Sequence, residues 1–163
     1  MSRAILAILI AAALCGCDPK FRTYDGPEVT RIVVMKKNRR MRLMHGDTVL
    51  SEYEIDLGYA PEGPKRYRGD GRTPEGRYYI DRRNPDSEFH LSLGISYPNA
   101  QDVARARAAG RDPGDNIFIH GARRSLLNFA GPDWTVGCIS VSNREIEDIY
   151  AMVKKGTVID IYP

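Results

Sequence analysis

Cysteine is scarce in this sequence, and no apolar run is long enough to cross a bilayer. The 163 residues include three cysteines, and the longest apolar run, Ala4–Leu14, has 11 residues, whereas a spanning helix needs roughly 20. Strong charge of one sign is also missing. The formal net charge of +3 is mild and evenly spread, which argues against a nucleic-acid partner. Without repeats or low-complexity tracts, this length predicts one globular domain.

The N-terminus has the pattern of an export signal. Arg3 precedes the apolar run, whose length fits the core of a secretory signal peptide. The run ends in Leu14-Cys15-Gly16-Cys17, which resembles a bacterial lipobox. We therefore predict a signal peptide over residues 1–16 and a lipid on Cys17 that anchors the chain to a membrane. Asp18 resembles a signal for retention at the inner membrane, which favours its periplasmic face. An ordinary secretory signal or a buried helix is the alternative.

Export would leave one free thiol. Cleavage before Cys17 removes Cys15 and lipidation modifies Cys17, so only Cys138 remains. An unpaired thiol in an oxidising compartment is a candidate reactive residue. The alternative is an inert cysteine that packs as a small hydrophobe.

The rest of the chain predicts a tether followed by a mainly β domain. Residues 17–27 are polar and contain two prolines and a glycine, as expected of a tether. The domain is predicted over 28–163, as a curved sheet or sandwich with one or two short α-helices. Apolar and β-branched runs predict strands at 29–35, 41–44, 48–57, 77–80, 89–96, 116–120, 139–141 and 156–162.

Two helices have clear start signals. Ser142 and Glu145 form a capping-box pattern before apolar residues at helical spacing, and Gly156 suits the stop. The second helix is predicted over Ala100–Ala109 with Asn99 as its cap. The irregular segment 58–75 is dense in glycine, proline and charge, and a connection of this length is often functional.

One histidine and one cysteine have neighbours that suit nucleophilic catalysis. A thiol nucleophile needs a base, access and donors for the oxyanion. His120 ends an apolar strand beside Gly121, which allows close approach. Gly137 leaves room beside Cys138 and lets the amides of 137 and 138 turn towards a tetrahedral oxygen. Thr135 could add a hydroxyl at that point or cap a turn.

These residues resemble the signature of a known family. His120-Gly121 and Thr135-Val136-Gly137-Cys138, with histidine and cysteine 18 positions apart, are similar to the motifs of the L,D-transpeptidase catalytic domain, also called the YkuD domain. The resemblance covers about residues 29–163. Further similar segments are 69–76, 89–98 and 156–158.

The resemblance implies a mainly β fold and a peptidoglycan stem-peptide substrate. Cys138 would attack the carbonyl of the L-centre of the third residue, D-alanine would leave, and a thioester would remain. His120 would take the thiol proton and pass it to the leaving amine. An amine acceptor then gives a transpeptidase. No metal or organic cofactor is implied.

One departure from the family pattern leaves the acceptor open. Many members have arginine two positions after the cysteine, where this chain has Ser140. The Asp133-Trp134-Thr135 variant is similar to a subgroup that includes a hydrolase releasing lipoprotein from peptidoglycan. Water as acceptor, giving a carboxypeptidase or such a hydrolase with a peptidoglycan-linked lipoprotein as partner, is therefore the alternative. An inactive wall-binding lipoprotein would predict a degraded histidine or cysteine motif.

Four further residues are candidates for substrate binding: His90, Tyr97, Trp134 and Arg72. Each has a structural alternative, since His90 could be a core residue and the two aromatic side chains could serve packing. For Arg72 an ion pair with Asp70 is favoured.

Two other site classes fit less well. Zinc binding by His90, His120 and Cys138 lacks paired ligand spacing. A papain-like site would place the cysteine before the histidine, at the head of a helix.

Overall fold

The computed structural model describes residues 20–122 and 131–163. The predicted signal peptide and the lipid site at Cys17 lie outside the described residues and stay predictions. Within the described stretches, no helix is long and apolar enough to span a membrane.

The domain consists of eight strands and two helices in the described part of the chain. In sequence order they are β1 (Arg31–Met35), β2 (Arg40–His45), β3 (Thr48–Glu54), β4 (Gly76–Asn84), β5 (Ser92–Ile95), α1 (Ala100–Ala108), β6 (Phe118–His120), β7 (Ile139–Ser140), α2 (Asn143–Met152) and β8 (Val158–Tyr162). The strands form one sheet in the order β3-β2-β1-β8-β4-β5-β6-β7. The predicted mainly β fold is confirmed.

Strand β4 joins the two halves of the sheet. Its first part, residues 76–79, pairs with β8, and its second part pairs with β5 after a register shift between Ile80 and Arg82. Such an irregularity bends a strand, so the sheet curves around a core that includes Ile32, Leu93 and Ile119, each without exposed surface.

Both predicted helices are present with their predicted caps. The Ser142 hydroxyl accepts from the Glu145 amide, and the Glu145 carboxylate accepts from the Ser142 amide, which completes the capping box of α2. Helix α2 buries Ile146 and Ile149 and packs against β5 and β6. Helix α1 begins after Asn99, whose side chain accepts from two amides of its first turn.

The described part of the predicted tether lies against the domain. Lys20 donates to the Pro85 carbonyl at 2.7 Å, and Arg22 pairs with Glu147 at 2.8 Å and with Asp148 at 2.7 Å on α2. The centroid of the Phe21 ring lies 6.4 Å from that of the Tyr150 ring. Residues 20–22 thus contact both α2 and the loop that follows β4.

Candidate active site

The parallel pairing of β6 with β7 brings the predicted histidine and cysteine to one cavity. Ile119 pairs with Ile139, and His120 pairs with Ser140. Cys138, one position earlier, therefore lies beside Phe118, and side chains two positions apart share a face. Both His120 and Cys138 line a cavity of about 380 Å³, which we call the front cavity. Its other walls include Phe89, Phe118, Trp134 and Val136.

The Gly121 carbonyl fixes the orientation of His120. His120 Nδ1 lies 2.6 Å from the Gly121 oxygen. Because a carbonyl oxygen only accepts, Nδ1 carries the proton and Nε2 is left as the acceptor of the neutral ring. The side chain is 4% exposed, and this burial lowers the pKa of His120 despite the hydrogen bond to Gly121. The imidazole is thus a neutral base at rest.

The position of Gly121 requires glycine. A Cβ there would lie 2.5 Å from Asn143 Oδ1 and 2.8 Å from the Phe89 carbonyl oxygen. Its amide donates to the Phe89 and Leu91 carbonyls at 3.1 and 3.3 Å. Gly121 is therefore a fixed point between β6 and α2, and its contribution to the site is to hold the histidine.

Two aromatic rings pack beside the imidazole. The centroid of the Phe89 ring lies 4.4 Å from that of the His120 ring, and the Trp134 ring lies edge-on to His120 with its centroid 5.8 Å away. These rings hold the imidazole plane and keep water from much of its surface. The prediction singled out Trp134, whereas it gave Phe89 no role beyond a strand.

The surroundings of Cys138 favour its protonated thiol over the thiolate. Burial raises its pKa, and a backbone contact with Phe118 and the positive charge of Lys65 only partly oppose that effect. Its Sγ lies 3.7 Å from the Asn116 carbonyl oxygen. A neutral thiol and a neutral imidazole that line the same cavity require proton transfer at the moment of attack.

Thr135 closes the turn that presents Cys138. Its hydroxyl donates to the Cys138 carbonyl at 2.7 Å and accepts from the Gly137 amide at 3.1 Å. This geometry favours the turn-capping alternative for Thr135. Because the Gly137 amide is also engaged in the turn, the Cys138 amide is the remaining predicted donor for the oxyanion.

The irregular segment 58–75 packs directly behind the cysteine. Gly137 has φ +129°, and a Cβ there would lie 2.6 Å from the Arg72 carbonyl oxygen. Tyr59 donates its amide to the Thr135 carbonyl at 2.9 Å, and Thr135 donates to Leu57 at 3.1 Å. The segment therefore supports residues 131–138, which we call the cysteine loop.

Three of the four predicted substrate-binding residues lie away from the front cavity, and Trp134 lines it. His90 Nε2 contacts Glu147 Oε1 of α2 at 2.7 Å. Tyr97 is 5% exposed and donates its hydroxyl to the Pro113 carbonyl at 2.9 Å. The favoured ion pair between Arg72 and Asp70 is not formed. Arg72 donates its backbone amide to Asp70, and the ion pair of Asp70 is with Lys65 at 2.9 Å.

Metal-binding clusters are not found in the described residues, where no group of three or more histidine, cysteine or carboxylate side chains could hold an ion. In the set of His90, His120 and Cys138, which fits zinc poorly by its spacing, His90 contacts Glu147 instead of the front cavity.

Comparison with solved structures agrees with this fold. Campylobacter jejuni Pgp2, described as a helical cell shape determining protein, superposes with a TM-score of 0.64 at 24% identity, covering 83% of this chain and 48% of Pgp2. An L,D-transpeptidase from Mycobacterium smegmatis gives 0.56 at 16% identity, covering 83% of this chain and 59% of that one. These likenesses concern the fold.

Sequence relatives extend the agreement to the family. YafK of Escherichia coli K12 is 32% identical over 124 residues, which are 71% of this chain and 44% of YafK, so the chain matches less than half of that relative. The L,D-transpeptidase catalytic domain (YkuD) matches residues 29–161, which include both His120 and Cys138. With the fold and the family match in agreement, the chain belongs to the L,D-transpeptidase catalytic domain family.

Proposed function

We propose that this protein is a cysteine L,D-transpeptidase that remodels peptidoglycan. The observation that supports the proposal is the contact of His120 Nδ1 with the Gly121 carbonyl oxygen. Its Nδ1 proton is held by Gly121 at 2.6 Å, which leaves Nε2 as a base in the cavity that Cys138 also lines.

In acylation, the Cys138 thiol gives its proton to His120 Nε2 as Sγ attacks the stem-peptide carbonyl. The Sγ–C bond forms and, as the tetrahedral intermediate collapses, the C–N bond to the leaving D-amino acid breaks. His120 then donates the proton to the leaving amine. The lowered pKa of His120 makes its imidazolium a ready donor. An acceptor amine attacks the thioester in the second half-reaction and restores the thiol.

Hydrolysis of the same thioester is the second candidate. The observation behind it is Ser140, which is 2% exposed and lies within β7. This position supplies no cation to the site, whereas many relatives have arginine there. Water as the acceptor would make the protein a carboxypeptidase, or an enzyme that releases a peptidoglycan-linked lipoprotein.

The proposed location is the periplasmic face of the inner membrane. The sequence at 1–18 supports a signal peptide followed by a lipid on Cys17, with Asp18 favouring retention. Labelling cells with an alkyne palmitate tests the anchor. We expect label on the wild-type chain and none on Cys17→Ala.

The activity is tested by incubating the purified protein with tetrapeptide muropeptides and identifying the products by mass spectrometry. A new dimer linked between third residues supports transfer, and a tripeptide alone supports hydrolysis. Cys138→Ala should abolish both products while it still folds. Full turnover by this variant would overturn the mechanism, and binding without turnover by the wild type would indicate a scaffold.

A further inference from the structure

Cys138 also borders a second, smaller cavity. This space of about 160 Å³, which we call the rear cavity, is lined by Lys65, Gly69, Gly114 and Asn116 as well as Cys138. Asn116, Val136 and Cys138 line both cavities. The cysteine thus lies on the partition between them, and a substrate bound to it can extend into either.

The wall of the rear cavity contains a buried ammonium group. The Lys65 side chain is 3% exposed. Its Nζ donates to Asp70 Oδ1 at 2.9 Å and to the Tyr67 carbonyl at 3.2 Å, and within the two described stretches these are the acceptors that contact it. An ammonium has three N–H donors, so the third has no acceptor among the described residues, and Lys65 lines the rear cavity.

The partner carboxylate of Lys65 is shared with the backbone. Asp70 also accepts from the amides of Arg66, Tyr67 and Arg72 at 2.7, 3.2 and 3.1 Å. Because three amide dipoles already stabilise the Asp70 charge, Lys65 keeps a positive field on its open side. This field reaches the cysteine, where it acts against the burial that raises the pKa of Cys138.

The acid at the rim of the cavity does not cancel that field. Asp115 lies 53% exposed and pairs with Arg68 at 3.3 Å. Arg68 also pairs with Asp112 at 2.7 Å, which is 60% exposed. These contacts are screened by solvent, whereas the Lys65 ammonium is desolvated and therefore acts more strongly on a nearby anion.

We propose that Lys65 binds the terminal carboxylate of the acyl donor, so that the leaving amino acid occupies the rear cavity. The inference rests on the proposed function. The rear cavity of about 160 Å³ has room for one small residue, since about 10–15 Å³ of such space already holds a water molecule. Lys65 then selects donors whose scissile bond lies one residue from a free carboxylate.

Paired substrates test this selection. We expect the wild type to process a tetrapeptide stem with a free terminal carboxylate about 10- to 100-fold better in kcat/KM than its terminal carboxamide, as for a hydrogen bond to a charged group. Lys65→Met should lose most of that preference because its kcat/KM for the free acid falls, while its kcat/KM for the carboxamide changes little. Lys155→Met, an exposed position with the same change in charge, should behave as the wild type. An unchanged preference in Lys65→Met overturns the proposal.

A second variant guards against misfolding. If Lys65→Met fails to fold because Asp70 is left unpaired, Lys65→Met/Asp70→Asn removes both charges together and is held to the same expectation. Circular dichroism and the melting temperature establish which variant is used.

Alkylation of Cys138 tests the carboxylate site without peptidoglycan. Iodoacetate and iodoacetamide both form an Sγ–CH₂ bond and release iodide, but only iodoacetate carries a carboxylate. Mass spectrometry of the Cys138 peptide gives both alkylation rate constants. The rate constant for iodoacetate divided by that for iodoacetamide should fall about tenfold in Lys65→Met. If the wild type processes no stem peptide but the ratio still falls in Lys65→Met, the proposed function fails and the carboxylate site stands. An unchanged ratio overturns the carboxylate site alone.

Discussion

Arg39 and Asp133 face each other at the base of the cysteine loop, with Arg39 Nε 2.8 Å from Asp133 Oδ1. The same carboxylate oxygen accepts from the Leu57 amide at 3.0 Å. Asp133 has φ +56°, a conformation that asparagine and aspartate tolerate better than most residues. The pair therefore ties the turn after β1 to the loop that presents Cys138.

Removing the Asp133 carboxylate should loosen the loop. Asp133→Ala leaves the Leu57 amide without its acceptor, and we expect unfolding free energy to fall by about 2 kcal/mol. Asp133→Asn keeps an acceptor oxygen and the same backbone preference, so its loss should be smaller. Urea denaturation measures both variants. Equal losses would show that the ion pair with Arg39, rather than the bond to Leu57, is what matters.

The Thr135 hydroxyl should matter more than its methyl group. Thr135→Val removes two hydrogen bonds from a side chain that is 4% exposed. We expect a loss of about 1–3 kcal/mol in stability, together with slower alkylation of Cys138 because the turn opens. Thr135→Ser retains the hydroxyl and serves as the control. Valine and serine variants with the same alkylation rate would contradict the role of the turn.

Two glycines near the site should respond differently to alanine. Gly121→Ala places a Cβ against Asn143 and the Phe89 carbonyl, and overpacking of this kind costs about 1–3 kcal/mol. Gly131→Ala meets no atom of the described residues within 4 Å, so its melting temperature should match the wild type. Differential scanning calorimetry compares them. A Gly121→Ala melting temperature equal to that of Gly131→Ala would mean that the backbone gives way without cost.

The alkylation of Cys138 should depend on pH as that of a buried thiol. Because burial raises the pKa of Cys138 above its ordinary value of 9.0, the rate constant with iodoacetamide should climb through pH 8 without a plateau. Free cysteine under the same conditions is the reference. A plateau reached below pH 7 would instead indicate a thiolate paired with an imidazolium.

His120 should make stability fall on the acid side. Its pKa is lowered by burial below the ordinary value of 6.5, so below pH 6.5 the unfolded chain binds the proton first. Stability contributed by the neutral ring is therefore present above pH 6.5 and is lost as the pH falls towards the folded pKa. Chemical denaturation from pH 7.5 to 5 measures the slope, which should be shallower in His120→Gln.

Local sequence patterns predicted the presence of helices and strands better than the residues at which they begin and end. The capping box at Ser142 located α2 because both partners lie within one turn. The predicted strand 48–57 ends at Glu54, since the chain beyond it leaves β2 and bridges instead to Ser140 and Thr135. The predicted strand 89–96 begins at Ser92, because His90 has φ +74°.

Local motifs mark the two residues of the proposed chemistry, whereas no local motif marks the residues that support them. His120 and Cys138 carry short motifs in the sequence. The contacts that hold the site join distant positions, such as Arg39 with Asp133 and Lys65 with the rear cavity, and no local pattern marks them. The predictions for His90 and Tyr97 relied on residue type, whereas their actual partners come from α2 and the segment after α1.

If Cys17 carries the proposed lipid, the docked segment at Lys20–Arg22 limits the distance between the domain and the bilayer. A lipid on Cys17 would be three residues from Lys20, a leash of roughly 10 Å at full extension. Lys20 holds the loop after β4, and Asn84, Ser87 and Phe89 of that region line the front cavity. A molecule anchored in this way would hold its front cavity close to the headgroups.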